Sequence, residues 1–137
     1  SPALIRRTLA AAAQHGAAVP VVAPVDSFRE TDAADASTSH PIDRSRLRIV
    51  QTPQAFRAEV LSKAYEVPYD ERFTDDASVV EASGYDVSLC EGERSNIKIT
   101  TPEDFAVAEA LLARRDADSA ERLPLPSDDT AAHAYDL

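Results

Sequence analysis

Residues 96–104 read Asn96-Ile97-Lys98-Ile99-Thr100-Thr101-Pro102-Glu103-Asp104, and the fold class turns on this stretch. Its first five residues alternate polar and apolar, the period of a strand: Ile97 and Ile99 point to one face, Asn96, Lys98 and Thr100 to the other. The next four carry a helix start, with threonine as N-cap, proline at the first helical position and acids behind it. A strand that runs straight into a helix belongs to an α/β sheet, where ligands bind beyond the strand ends. Lys98 is then placed to hold an anion such as a phosphate. Its other reading is a lysine on the solvent face of an edge strand.

The Thr-Pro start recurs at Thr52-Pro53, predicting a helix that buries Phe56, Val60, Leu61 and Ala64. Ser1-Pro2 opens another helix, with Leu4, Ile5, Leu9 and Ala12 as its apolar stripe and His15-Gly16 as its stop. Residues 18–25 form a continuous apolar run, expected of a strand covered on both faces. Residues 31–41 are small and polar. They read as the tip of an arm spanning about 25–51, with strands at 25–30 and 47–51. Such an arm has little core of its own. Thr74-Asp75-Asp76-Ala77-Ser78 starts a short helix through Val79, Val80 and Ala82, and residues 86–90 read as a strand. The last helix is expected over 102–115, with Phe105, Ala108 and Leu112 facing inward. The acidic residues 116–137 have no periodicity and read as a disordered tail. The order is α/β, with too few strands for a complete doubly wound sheet and no Gly-rich loop. It fits the C-terminal portion of a larger Rossmann-like fold.

The chain has 137 residues and a formal net charge of −10, which argues against nucleic acid and anionic membrane as partners. The charge is uneven. Residues 41–57 hold Arg44, Arg46, Arg48 and Arg57 against Asp43 alone, so one basic stretch sits in an acidic protein. That suits a binder of a small anion, and equally an exposed edge with solvated arginines. With no Trp and no Met the core should be aliphatic. Cys90 is the only cysteine, and with His15, His40 and His133 it gives no zinc spacing. It reads as a small core residue, and a reducing cytoplasm is expected. No apolar run approaches the ~20 residues of a membrane span, and no signal peptide is evident.

Thr52 reads as an ordinary N-cap or as a hydroxyl offered with free helix N–H groups to a phosphate. Thr74-Asp75-Asp76 reads as a cap before it reads as a Mg²⁺ ligand set. Asp26-Ser27 and Asp43-Arg44 flank the two bases of the arm and are expected close together. There is no acid/base dyad and no nucleophile–histidine pair.

Taken in order, Asp26-Ser27, Ile42-Asp43-Arg44, Gln51-Thr52-Pro53-Gln54-Ala55-Phe56, Phe73-Thr74-Asp75-Asp76-Ala77-Ser78, Glu91-Gly92 and residues 96–104 resemble the 2-C-methyl-D-erythritol 4-phosphate cytidylyltransferase family. The resemblance covers residues 2 to about 113, as the C-terminal half of the family sequence. It implies a nucleotidyltransferase of the nucleotide-diphospho-sugar transferase type, moving CMP from CTP to methylerythritol phosphate with Mg²⁺, in non-mevalonate isoprenoid biosynthesis. It also implies a homodimer embracing through the arm. Lys98 and Thr52 would hold the acceptor phosphate from one subunit, with Ser27 and Arg44 reaching it from the neighbour's arm. Arg44 and Lys98 would position that phosphate for in-line attack. The family's Gly-rich CTP segment and its substrate- and metal-holding aspartate have no counterpart here, so CTP and Mg²⁺ ligands are expected outside this chain, which alone should be inactive. Ser27 replaces the family's usual threonine and keeps the hydroxyl. The neighbouring readings are a ribitol-5-phosphate cytidylyltransferase and a non-catalytic dimerisation module.

Overall fold

The computed structural model describes residues 1–121. The described chain divides into two units, one of residues 1–97 and one that begins at Lys98.

In the first unit, helix α1 (Pro2–His15) begins where the sequence places it. Ser1 Oγ accepts the Leu4 N–H at 3.2 Å, and Pro2 opens the first turn. Leu4, Thr8 and Ala12, four residues apart, form its buried side. Thr8 is fully buried because its hydroxyl donates back to the Leu4 carbonyl at 3.0 Å. Gly16 ends the helix at φ 96°, in the left-handed region that favours glycine.

Strand β1 (Ala17–Val22) follows and is the centre of a four-stranded sheet. On one side it pairs antiparallel with β4 (Ile49–Val50), opposite Val21 and Val22, and with β5 (Ala55–Phe56), opposite Ala17 and Ala18. On the other it runs parallel to β6 (Ser88–Glu91), from Ala18↔Ser88 to Val21↔Glu91. Its first four residues are buried, as expected of a strand enclosed by neighbours.

Between β1 and β4 lies the arm. Strands β2 (Arg29–Thr31) and β3 (Ser39–Pro41) pair antiparallel, Arg29↔Pro41 to Thr31↔Ser39. Every one of these residues is exposed. The turn is held by Asp32 N–H to Thr38 O and Thr38 N–H to Asp35 O, both 3.1 Å. The ribbon is therefore shorter than expected. The segment 47–51 does not run in the arm: its apolar Ile49 and Val50 pair with β1.

Helix α2 (Ala58–Ala64) starts six residues after Thr52, with Arg57 in the cap position and no side-chain cap bond. The expected helix start at Thr52-Pro53 is overturned. Ala55-Phe56 are drawn into β5 by the open edge of β1. Ladder bonds to β1 outweigh the local helix signal. Val60 and Ala64 are buried as expected.

Helix α3 (Asp76–Ala82) is capped by Asp75, and not by Thr74. Asp75 Oδ1 accepts Ser78 N–H at 2.9 Å, and Ser78 Oγ accepts Asp75 N–H at 3.2 Å, a reciprocal capping box. Ala17, Val60, Ala64, Val79 and Val80 make one core, with Phe73 and Val87 against it; Ala12, Ala18 and Ala55 make a second. Both are aliphatic.

The strand expected over 96–100 does not form. Alternation gives a segment two faces but no partner backbone, and the groups at its start bond elsewhere. Asn96 N–H closes a turn on Glu93 O at 2.9 Å, and Asn96 O accepts from a side chain of the β4–β5 segment. In the second unit, helix α4 (Pro102–Glu121) begins as read: Asp104 Oδ2 accepts the N–H groups of Thr100 (2.8 Å) and Thr101 (2.7 Å). It runs six residues past its expected end, into the segment read as a tail. Residues 122–137 lie outside the described residues. Phe105 and Leu112, expected inward, are 62% and 49% exposed.

Candidate functional site: the Thr52 turn and its cavity

The turn between β4 and β5 carries a polar network that reaches two other segments of the first unit. Gln51 N–H donates to Pro20 O at 2.8 Å, fixing the turn to β1. The Gln51 side chain then binds the loop after β6 like a surrogate backbone. Its Oε1 accepts Glu93 N–H at 3.0 Å, and its Nε2 donates to Glu93 O at 2.8 Å and Asn96 O at 2.9 Å. Asn96 Nδ2 returns a bond to Thr52 O at 2.6 Å. Gly92 makes this approach possible, since its N–H bonds Val21 O at 2.9 Å and no side chain fits there.

On the other side of the turn, Gln54 reaches the start of α3. Its Nε2 donates to Asp75 Oδ2 at 2.7 Å, and its Oε1 accepts Ala77 N–H at 3.2 Å. Between the turn and α3 opens a cavity of about 760 Å³. Thr52, Gln54, Thr74 and Asp76 give it polar edges, and Pro53, Val67, Phe73 and Val79 give it an apolar wall. Tyr65 Oη donates to Asp76 Oδ1 at its rim, and that bond raises the phenol pKa. A cavity of this size, mostly apolar with a few convergent polar groups, suits a small organic ligand.

The residues singled out from sequence are distributed as follows. Thr52 is exposed at the cavity edge, with its carbonyl held and its hydroxyl not hydrogen-bonded among the described residues. Arg44, in a single 3-10 turn (Arg44–Arg46) capped by Asp43, donates from Nη1 to Val25 O. That bond ties the two bases of the arm and brings Arg44 to the segment carrying Ser27, itself exposed. The partner is a backbone carbonyl and not Asp26. Arg48 likewise donates to Ser45 O (2.9 Å) and Leu47 O (2.6 Å), and Arg57 to Ala13 O. Arg44, Arg48 and Arg57 thus all donate to backbone carbonyls. Lys98 is exposed at the start of the second unit. Cys90 is half-buried, 3.6 Å from Thr8 Oγ1. Among the described residues, no three His, Cys, Asp or Glu side chains gather into a metal cage, and no helix is long and apolar enough to cross a membrane.

Sequence reading missed Gln51, Gln54 and Asn96. Their partners are far away in the chain, so no local pattern marks them. The sharpest available signal was two glutamines bracketing a Thr-Pro that read as a cap or as a phosphate-facing hydroxyl.

A parallel/antiparallel sheet with helices and a projecting ribbon defines the class: a nucleotidyltransferase α/β fold. The chain belongs to the 2-C-methyl-D-erythritol 4-phosphate cytidylyltransferase family, whose model matches residues 1–114. It is 49% identical over 110 residues to the 2-C-methyl-D-erythritol 4-phosphate cytidylyltransferase of Bacteroides thetaiotaomicron, covering 80% of this chain and 48% of the relative. It is 48% identical over 116 residues to a bifunctional enzyme IspD/IspF of Nitrobacter hamburgensis, covering 82% of this chain and 28% of that one. The crystal structure of the cytidylyltransferase from Thermus thermophilus superposes with a TM-score of 0.68 at 38% identity, over 83% of this chain and 56% of that one. The chain therefore spans about half the length, or less, of these relatives.

Proposed function

We propose that this chain is the acceptor-binding and dimerisation portion of an enzyme that transfers CMP from CTP to 2-C-methyl-D-erythritol 4-phosphate. In this reaction an acceptor phosphate oxygen attacks the α-phosphorus of CTP, a P–O bond forms, and the α–β bridge breaks to release pyrophosphate. The observation that carries the reading is the family match across residues 1–114. In this reading Thr52 and Lys98 hold the acceptor phosphate, while Ser27 and Arg44 come to it from the arm of the second subunit. Two cations on one dianion fix its direction and offset its repulsion from the triphosphate. A guanidinium supplies paired donors to such a group and an ammonium supplies a compact charge.

The homodimer is supported by the arm itself. A two-stranded ribbon is marginal alone, and Val25 and Phe28 at its base are 61% and 39% exposed. A cytoplasmic location accords with a substrate pair of soluble phosphates. Mg²⁺ bound with CTP would neutralise triphosphate charge. The described residues supply no cluster that fits it, so no residue here is assigned to it.

The test is Lys98→Ala and Arg44→Ala in the full-length protein. Each should cut turnover steeply while CTP binding stays nearly intact. Unchanged turnover overturns the assignment of these two residues.

A further inference from the structure

Thr52 has a β-branched side chain, so its χ1 choices are few once the backbone is fixed. Its hydroxyl makes no bond among the described residues, so the backbone decides which of those few directions are open to it. That backbone is held at two points. Gln51 anchors the residue before it, and Asn96 Nδ2 donates to the carbonyl of Thr52 at 2.6 Å. Asn96 is itself locked, because its carbonyl accepts from Gln51 Nε2 at 2.9 Å and its N–H closes on Glu93 O at 2.9 Å. Adjacent residues Gln51 and Thr52 thus trade bonds with one short loop. The side chain of Asn96 serves one end of that exchange only.

We infer that Asn96 is a positioning residue for the acceptor phosphate, acting through Thr52. It fixes the Thr52 carbonyl and so the backbone from which the hydroxyl is presented. This inference rests on the proposed role of Thr52. Asn96 touches no substrate in it.

Steady-state kinetics of the full-length protein test it, with Asn96→Ala, the near-isosteric Asn96→Leu in case the alanine variant folds poorly, Thr52→Val, and the double variant Asn96→Ala/Thr52→Val. The expected result is a rise in KM for methylerythritol phosphate on the order of tenfold for each Asn96 variant, with KM for CTP and Tm unchanged. The double variant should be no worse than Thr52→Val, because a residue acting through another adds nothing once that one is gone. If Thr52→Val raises the acceptor KM and the Asn96 variants do not, the inference fails and the role of Thr52 survives. If Thr52→Val changes nothing, the role of Thr52 and the inference both fall. Equal changes in both KM values, additive effects in the double variant, or a lowered Tm reduce Asn96 to a structural residue and overturn the inference.

Discussion

Gln51 and Gly92 share one volume: a side chain at position 92 would fall on Gln51 Oε1 and stand 2.8 Å from the Val21 carbonyl oxygen. The glutamine can shift, but the backbone of the central strand cannot. Gly92→Ala should therefore destabilise the fold by about 1–3 kcal/mol, as overpacking does. The companion Gln51→Ala/Gly92→Ala variant separates the two contacts. It should remain destabilised relative to Gln51→Ala, because Val21 is still in the way. Urea denaturation read by circular dichroism measures both, and recovery of Gln51→Ala stability in the double variant would place the conflict on the glutamine alone.

Asp75 does two jobs at the start of α3, capping Ser78 N–H and accepting from Gln54. Asp75→Ala removes the cap, a loss of about 1–2 kcal/mol, and leaves Gln54 Nε2 without its acceptor. Ser78→Ala removes only the return half of the capping box and should cost less. A thermal melt of the two variants should rank them in that order, and the reverse ranking would remove Gln54 from the explanation.

The helix starts were legible because their partners lie within four residues. Ser1 with Leu4, Asp75 with Ser78 and Asp104 with Thr101 are all encoded in one short window. The same window logic failed at Thr52-Pro53. The decisive partner there was Ala17-Ala18, which recruits Ala55-Phe56 into the sheet from far upstream. Lys98 shows the other limit. Its alternation predicted two faces, yet Ile97 and Ile99 are both exposed; a strand also needs a neighbour, and no pattern within 96–100 reports whether one exists. Of the candidate site, Thr52 was legible as a residue type, though on a helix start that does not form. The Gln51–Asn96 bracing that holds it was not, since amide side chains bonding across the chain leave no periodicity.

Exposed Arg72 pairs with half-buried Asp70, two residues away, in the loop before α3. The guanidinium and the Arg72 N–H both bond the carboxylate and hold its pKa down to about 2. A depressed carboxyl contributes stability above its ordinary pKa, and that contribution fades as pH falls from about 4 toward 2. An NMR titration should give Asp70 a midpoint near 2, rising toward the ordinary carboxylate value in Arg72→Gln. An Asp70 midpoint unmoved by Arg72→Gln would show that the arginine is not the cause.

The arm poses the question of whether Arg44 serves its own subunit or the other. If Arg44 and Lys98 meet the same acceptor phosphate from different subunits, the two single variants must complement. A dimer of one Arg44→Ala subunit and one Lys98→Ala subunit has one site with both cations and one with neither. Random pairing makes half the dimers mixed, so an equimolar co-refolded sample should recover about a quarter of full activity from two nearly inactive parents. If both residues serve the same subunit, every site in the mixture lacks one cation and activity stays at the parental level. Purified heterodimers carrying two different affinity tags sharpen the contrast, since sharing across the interface then predicts half of the wild-type rate per dimer, again with CTP affinity unchanged.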